Sequence, residues 1–189
     1  MKEIYKDIYM IEEFITLDEQ QYLLDLISRT PESSWNTNYI NDIIKRNSEN
    51  IDVLREKIAN RNTFWDDKIL NIDDENLINT ITKRINDLFD NKYDVNRVIA
   101  IQRQQPGSIL KVHFDQGDNP DLEKAVVIYL NDDYMGGELF FPEHDFSIKP
   151  PARSLLTFPG TENYMHGISD IYPGPIRYVL PSFGFIKNG

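Results

Sequence analysis

Ser108-Ile-Leu-Lys-Val-His113-Phe-Asp115-Gln-Gly117 is the stretch on which the reading of this chain turns. Read as a strand, it sends successive side chains to opposite faces, so His113 and Asp115 point one way while Phe114 packs behind them. Strand-like pieces surround it. Val95 to Gln104 is one, Pro106-Gly107 forms a turn, and others fall near 109–115, 124–131, 137–141, 146–149, 153–158, 164–168 and 175–186. Gly, Pro, Asn and Asp separate them. Short strands at this spacing predict a sandwich or double-sheet jelly roll.

Upstream the period changes. Ile8 to Ile15 reads as a short strand, and Thr16-Leu-Asp-Glu19 fits a capping box that opens a helix. Leu17, Tyr22, Leu23, Leu24, Leu26 and Ile27 give that helix an apolar side, and Pro31 follows its end. The polar run from Asn36 to Asn50 predicts a long loop before a helix near Ile51 to Ala59. A further helix over about Asp73 to Asp90 carries Leu77, Ile78, Ile81, Ile85, Leu88 and Phe89 at helical spacing. The expectation is an α+β fold: a double-stranded β-helix (jelly roll) with N-terminal supporting helices. Residues 1–189 form a single domain, in which 1–93 are mainly helical support and 94–189 are the jelly-roll core carrying the site.

Composition narrows the function classes. At 189 residues, with 40% hydrophobic and 12% aromatic content, the chain can bury a core of its own. Cysteine is absent, which excludes disulfides, thiolate metal sites and a cysteine nucleophile. A formal charge of −11 repels polyanions and argues against nucleic acid as partner. No secretory or bilayer-spanning run occurs, so a cytoplasmic protein without membrane attachment is the default expectation.

Two of the 3 histidines carry the chemistry. His113 and Asp115 on one strand face, joined by His166 from Tyr164-Met-His166-Gly167, form a 2-His-1-carboxylate set. Such a set covers one side of an octahedral ion and leaves open positions, as non-haem Fe(II) oxygenases require. Arg177, in Pro175-Ile-Arg177-Tyr-Val, could return beside the metal in an apolar pocket, where its fork suits the distal end of a dicarboxylate. His144 reads as a surface residue of a turn. Trp35 and Tyr39 are candidates for a substrate entrance, and Arg103 and Arg61 for substrate contacts.

From about Ile99 to Phe185 the chain resembles the prolyl 4-hydroxylase-like branch of the 2-oxoglutarate/Fe(II) oxygenases. The residues are Pro106-Gly107, His113-x-Asp115, Tyr129-Leu-Asn131, Gly136-Gly-Glu-Leu-x-Phe-Pro142, Lys149-Pro150, Leu156-x-Phe158, His166 and Arg177-Tyr178, in the family's order. The resemblance implies that His113, Asp115 and His166 ligate Fe(II) and that Arg177 pairs with the distal carboxylate of 2-oxoglutarate. Tyr129 would add a hydrogen bond there, and glycines 136 and 137 would permit a tight strand junction. Family members often carry tyrosines before the Pro-Gly turn and three residues before the first metal histidine. Here those places hold Gln104 or Gln105, and Leu110, and Gln104 is the candidate substitute.

The implied reaction couples decarboxylation of 2-oxoglutarate, to succinate and CO2, with hydroxylation of a C–H bond by O2. Ascorbate is an implied accessory. The expected substrate is a prolyl or other side chain of a peptide or protein. A free amino acid, small metabolite or nucleobase is the alternative within the same chemistry, and a non-catalytic jelly-roll binding protein the alternative outside it.

Overall fold

A computed structural model describes residues 1–35, 68–108, 110–117 and 119–187; the expected loop and helix of 36–59, with Tyr39, and also Arg61, lie outside the described residues. Helix α1 (Leu17–Arg29) begins where the capping box predicted it. Thr16 Oγ accepts from Glu19 N at 3.1 Å, and the Glu19 carboxylate accepts from Thr16 N at 2.8 Å. The buried stripe differs from the expected one. Leu17 and Tyr22 face solvent, and the helix is held instead by fully buried Leu23 with Leu26 and Ile27 beside it. Helix α2 (Glu75–Leu88) is capped by Asp74, whose side chain accepts from Leu77 N, and buries Ile78, Ile81 and Ile85.

Glu19 does more than cap. Its two carboxylate oxygens take the Arg84 guanidinium of α2 at 3.0 and 2.8 Å, which ties the two helices together. The hydrogen bond from Arg84 holds the Glu19 carboxyl below its ordinary range. A depressed carboxyl adds stability above its unfolded-state pKa, and the contribution vanishes as pH falls through the folded value. Glu19→Ala therefore costs about 1–2 kcal/mol near neutrality, from cap and ion pair together. Thermal unfolding against pH checks this: the gap between wild type and variant closes in acid and does not widen.

The strands are β1 (Lys2–Tyr5), β2 (Ile8–Ile11), β3 (Lys68–Asn71), β4 (Tyr93–Val95), β5 (Ala100–Gln104), β6 (Leu110–His113), β7 (Leu122–Tyr129), β8 (Leu139–Phe141), β9 (Phe146–Ile148), β10 (Leu155–Pro159), β11 (His166–Ile168) and β12 (Arg177–Ile186). They form two antiparallel sheets. The larger runs β1-β2-β10-β7-β12-β5-β3, with β4 also on β12, and the smaller runs β6-β11-β8-β9. The first 93 residues are thus more than helical support, because β1, β2 and β3 lengthen the larger sheet at both edges.

Alternation along the central strands separates two cores. Val126 and Ile128 of β7 and Leu180 of β12 face α1 and α2, together with Leu23, Ile78, Ile81 and Ile85. Ala125 and Tyr129 of β7 and Val179 of β12 face the smaller sheet, with Leu139, Phe141, Leu156 and Phe158. The strand expected from Val95 to Gln104 is interrupted at 96–99. There Val98 plugs into the helix-side core and donates its N–H to the Thr82 hydroxyl at 3.1 Å, so the backbone leaves the ladder. Among the described residues, no helix is long and apolar enough to cross a membrane.

Candidate metal centre

His113 closes β6 and pairs in register with His166, the first residue of β11, so the smaller sheet brings the two imidazoles together. Their ring centroids are 4.5 Å apart. The turn after β6 then swings Asp115 between them: Gln116 N donates to Gly160 O at 2.8 Å and pins that turn to the end of β10. Gly160 is needed there, since a Cβ would sit 2.4 Å from Leu122 Cδ2 and 3.4 Å from the Asp115 Cβ. Asp115 Oδ1 lies 3.6 Å from His113 Nε2, and Oδ2 lies 3.5 Å from His166 Nε2.

One ligand atom from each residue falls within 4.8 Å of the others. Ligands held about 2.1 Å from one ion stand about 3 Å apart on neighbouring corners, so a bound ion would draw the three side chains closer together. The donor chemistry fits. His166 is 4% exposed, and burial lowers its pKa against the opposing pull of Asp115, so the ring stays neutral. Its Nδ1 lies 3.0 Å from the Tyr164 carbonyl, which takes the ring proton and leaves the Nε2 lone pair facing the other two ligands. Phe158 and Phe141 wall the ring at centroid distances of 4.7 and 5.8 Å. His113 and Asp115 are more open, with side chains 23% and 12% exposed, so access to the centre is from their side.

Tyr164 is itself tethered. Its hydroxyl donates to Asp7 at 2.9 Å and its ring stacks on His144 at 4.7 Å. His144 is accordingly half-buried, with Nε2 2.8 Å from the Asn163 carbonyl, rather than the plain surface residue that the sequence suggested.

The second part of the site is a buried cation. Arg177 opens β12 opposite Gln104 of β5, on the face turned toward the smaller sheet, and is 2% exposed. Gln104 Oε1 accepts from Arg177 Nη1, and no carboxylate of the described residues bonds the guanidinium. Its carbon lies 5.0 Å from the Tyr129 ring and 5.7 Å from the Tyr134 ring. The Tyr129 hydroxyl, the Tyr134 hydroxyl and Arg177 Nε are all buried without a hydrogen-bond partner among the described residues. A buried guanidinium flanked by unused donors is costly unless an anion completes it, and a carboxylate meets every one of those needs.

Of the residues singled out in the sequence, the structure brings His113, Asp115 and His166 to one point, and Arg177, Tyr129 and Gln104 to another in the same inter-sheet layer. It does not bring Arg103 or Trp35 there. Arg103 alternates with Gln104 on β5 and so faces the helices, where Glu32 binds it at 2.9 and 2.8 Å. Trp35 is 6% exposed and lies under Arg103, whose guanidinium carbon is 4.6 Å above the ring. Tyr134 was missed. Its signal was the pair of glycines that follow it: Gly136 and Gly137 both have φ of +69°, and a Cβ on Gly136 would fall 2.0 Å from the Asp170 carbonyl, so the loop folds back and tucks Tyr134 inward.

Comparison with known proteins agrees with this geometry. Residues 99–183 match the family model of the 2OG-Fe(II) oxygenase superfamily. No curated protein matches the chain in sequence. Among solved structures, the viral collagen prolyl hydroxylase of Paramecium Bursaria Chlorella virus-1, as its 2OG complex, superposes with a TM-score of 0.66 at 15% identity, covering 97% of each chain. A Pseudomonas putida prolyl-4-hydroxylase gives 0.63 at 16% identity over 96% of this chain and 94% of that one. A Trichoplax adhaerens prolyl hydroxylase, in complex with a hypoxia inducible factor peptide fragment, gives 0.65 at 20% identity over 95% and 84%. Residues 99–183, which carry the site, thus match the model of the 2OG-Fe(II) oxygenase superfamily, and the chain has the fold that these prolyl hydroxylases share.

Proposed function

We propose that the chain is an Fe(II)- and 2-oxoglutarate-dependent dioxygenase that hydroxylates a C–H bond, with a prolyl or other side chain of a peptide as substrate. The observation that carries this reading is the pairing of two features in one layer: three ligand atoms within 4.8 Å of each other, and a buried arginine bonded to no carboxylate among the described residues. His113, Asp115 and His166 would hold the metal on one side and leave the facing positions free. Arg177 would take the distal carboxylate of the co-substrate, with the Tyr129 hydroxyl as a further donor and Gln104 steadying the guanidinium.

Bound Fe(II) with 2-oxoglutarate supplies O2-dependent oxidation of a C–H bond, coupled to decarboxylation of the diacid to succinate and CO2. The protein's residues supply position and dryness. Tyr164 fixes the ring of His166, Phe141 and Phe158 exclude water behind it, and the open side at His113 and Asp115 admits the substrate. No protein acid or base is required. Support for a peptide substrate comes from the fold, which is shared with prolyl hydroxylases, one of them solved with a peptide fragment.

Incubation with Fe(II), 2-oxoglutarate and proline-containing peptide libraries tests the proposal. Succinate formation together with the gain of one oxygen atom by a peptide is expected. Succinate formed only with free amino acids or small metabolites would move the substrate class, and no succinate under any condition would overturn the enzyme reading.

A further inference from the structure

We propose that the Tyr134 hydroxyl is an additional donor to the distal carboxylate of the diacid held by Arg177, and that it makes the site select a dicarboxylic over a monocarboxylic 2-oxo acid. The inference rests on the reading of Arg177 given above and extends it to a residue in the loop between β7 and β8.

Four observations support it. First, the loop is fastened to the strand that bears Arg177 on both sides of that residue. Asn131 Nδ2 donates to the Ile176 carbonyl at 2.8 Å, and Tyr178 N donates to Asn131 Oδ1 at 2.9 Å. Second, Tyr134 is 1% exposed, and its hydroxyl has no partner although a guanidinium lies 5.7 Å from its ring. A phenol that is buried without a bond has lost water and gained nothing, a state that a ligand would relieve. Third, the ring has another anchor: Lys149 Nζ sits 4.5 Å from its centroid and donates to the Tyr134 carbonyl. The hydroxyl is therefore not needed to keep the ring in place. Fourth, Gln104 takes one N–H of Arg177 Nη1, and the hydroxyls beside the guanidinium add donors to those that it keeps.

Toward a carboxylate the phenol acts as a donor. Burial pushes the Tyr134 pKa up to about 12 against the opposing charge of Arg177, so the proton stays on the oxygen at neutral pH. Two phenols then flank one guanidinium, their rings 5.0 and 5.7 Å from its carbon. This chain lacks tyrosine at positions 104, 105 and 110, and the loop residue supplies a hydroxyl that those positions do not.

The test is anaerobic calorimetric titration of the Mn(II)-loaded protein with 2-oxoglutarate and with 2-oxobutanoate, which has no distal carboxylate, for wild type, Tyr134→Phe and Arg177→Met. Tyr134→Phe should weaken 2-oxoglutarate about 10-fold, leave 2-oxobutanoate and Mn(II) binding unchanged, and so reduce the preference for the diacid by the same factor. Its ligand-free melting temperature should stay level or rise, because no hydrogen bond is lost. Equal weakening of both acids would show a merely structural ring and overturn the proposal. Unchanged 2-oxoglutarate binding in Tyr134→Phe, alongside its loss in Arg177→Met, would overturn the role of Tyr134 alone. Unchanged binding in Arg177→Met would overturn the reading of the pocket beneath it.

Discussion

Asp115→Ala should bind divalent metal on the order of 1,000-fold more weakly than wild type and form no succinate. Loss of an outer partner of a metal ligand already costs roughly 10–100-fold, and a ligand itself contributes more. Asp115 is also the only negative charge in the set, placed 3.6 and 3.5 Å from the two Nε2 atoms. Without it, the set keeps two imidazoles with centroids 4.5 Å apart and no anionic ligand to offset a dication. The fold should survive, because Asp115 lies beyond the end of β6, and the Gln116–Gly160 hydrogen bond that holds its turn is made by backbone. Wild type should gain about 2.7 kcal/mol of stability at a metal concentration 100 times its Kd, and Asp115→Ala should gain almost none. Thermal melts with and without Mn(II) measure both. Equal metal-induced stabilisation of the two proteins would remove the basis for the centre.

Arg177→Met should abolish 2-oxoglutarate binding at millimolar concentrations while sparing the metal. Truncating one partner of a buried charge pair costs about 2–5 kcal/mol, or on the order of 30- to 5,000-fold in Kd. The variant has a second, opposite signature. The guanidinium is 2% exposed and bonded only to Gln104 among the described residues, so the ligand-free protein bears the cost of a buried, unneutralised cation. An apolar residue of similar length removes that cost, and a rise in ligand-free stability of about 1–4 kcal/mol is expected. Arg177→Lys should not rescue, because an ammonium cannot present the planar fork between Tyr129 and Tyr134. Calorimetry for the ligand and chemical denaturation for the ligand-free protein separate the two effects. A destabilised Arg177→Met that still binds the diacid would show Arg177 to be a structural residue.

Much of this was legible in the sequence, for reasons that differ between residues. The His113-Phe-Asp115 pair was legible from its spacing, but the strand stops at His113, and a turn rather than strand alternation sets Asp115 beside it. The capping box at Thr16 was readable because both partners lie within four residues of each other. Arg177 stood out because an arginine in an apolar strand requires an explanation. What escaped was non-local. The edge strand β3 is short, and its pairing with β5, Lys68 opposite Arg103, depends on chain brought in from elsewhere. Arg103 and Gln104 are sequence neighbours whose fates diverge with the face of β5 on which each lies, and only Glu32, 71 residues away, reveals which face is which. The gap at 96–99 depends on Thr82 of α2 reaching Val98, a contact that no local pattern encodes. Tyr134 looked like any loop aromatic until Asn131 fastened its loop on either side of Arg177.

Diffraction from crystals of the protein grown with Mn(II) and 2-oxoglutarate under anaerobic conditions tests the central claim most directly. The account predicts one ion bonded to His113 Nε2, one Asp115 oxygen and His166 Nε2, with the diacid reaching from that ion to Arg177 between the Tyr129 and Tyr134 hydroxyls. An ion bound elsewhere with the three side chains left apart, or a diacid seated away from the guanidinium, would contradict it.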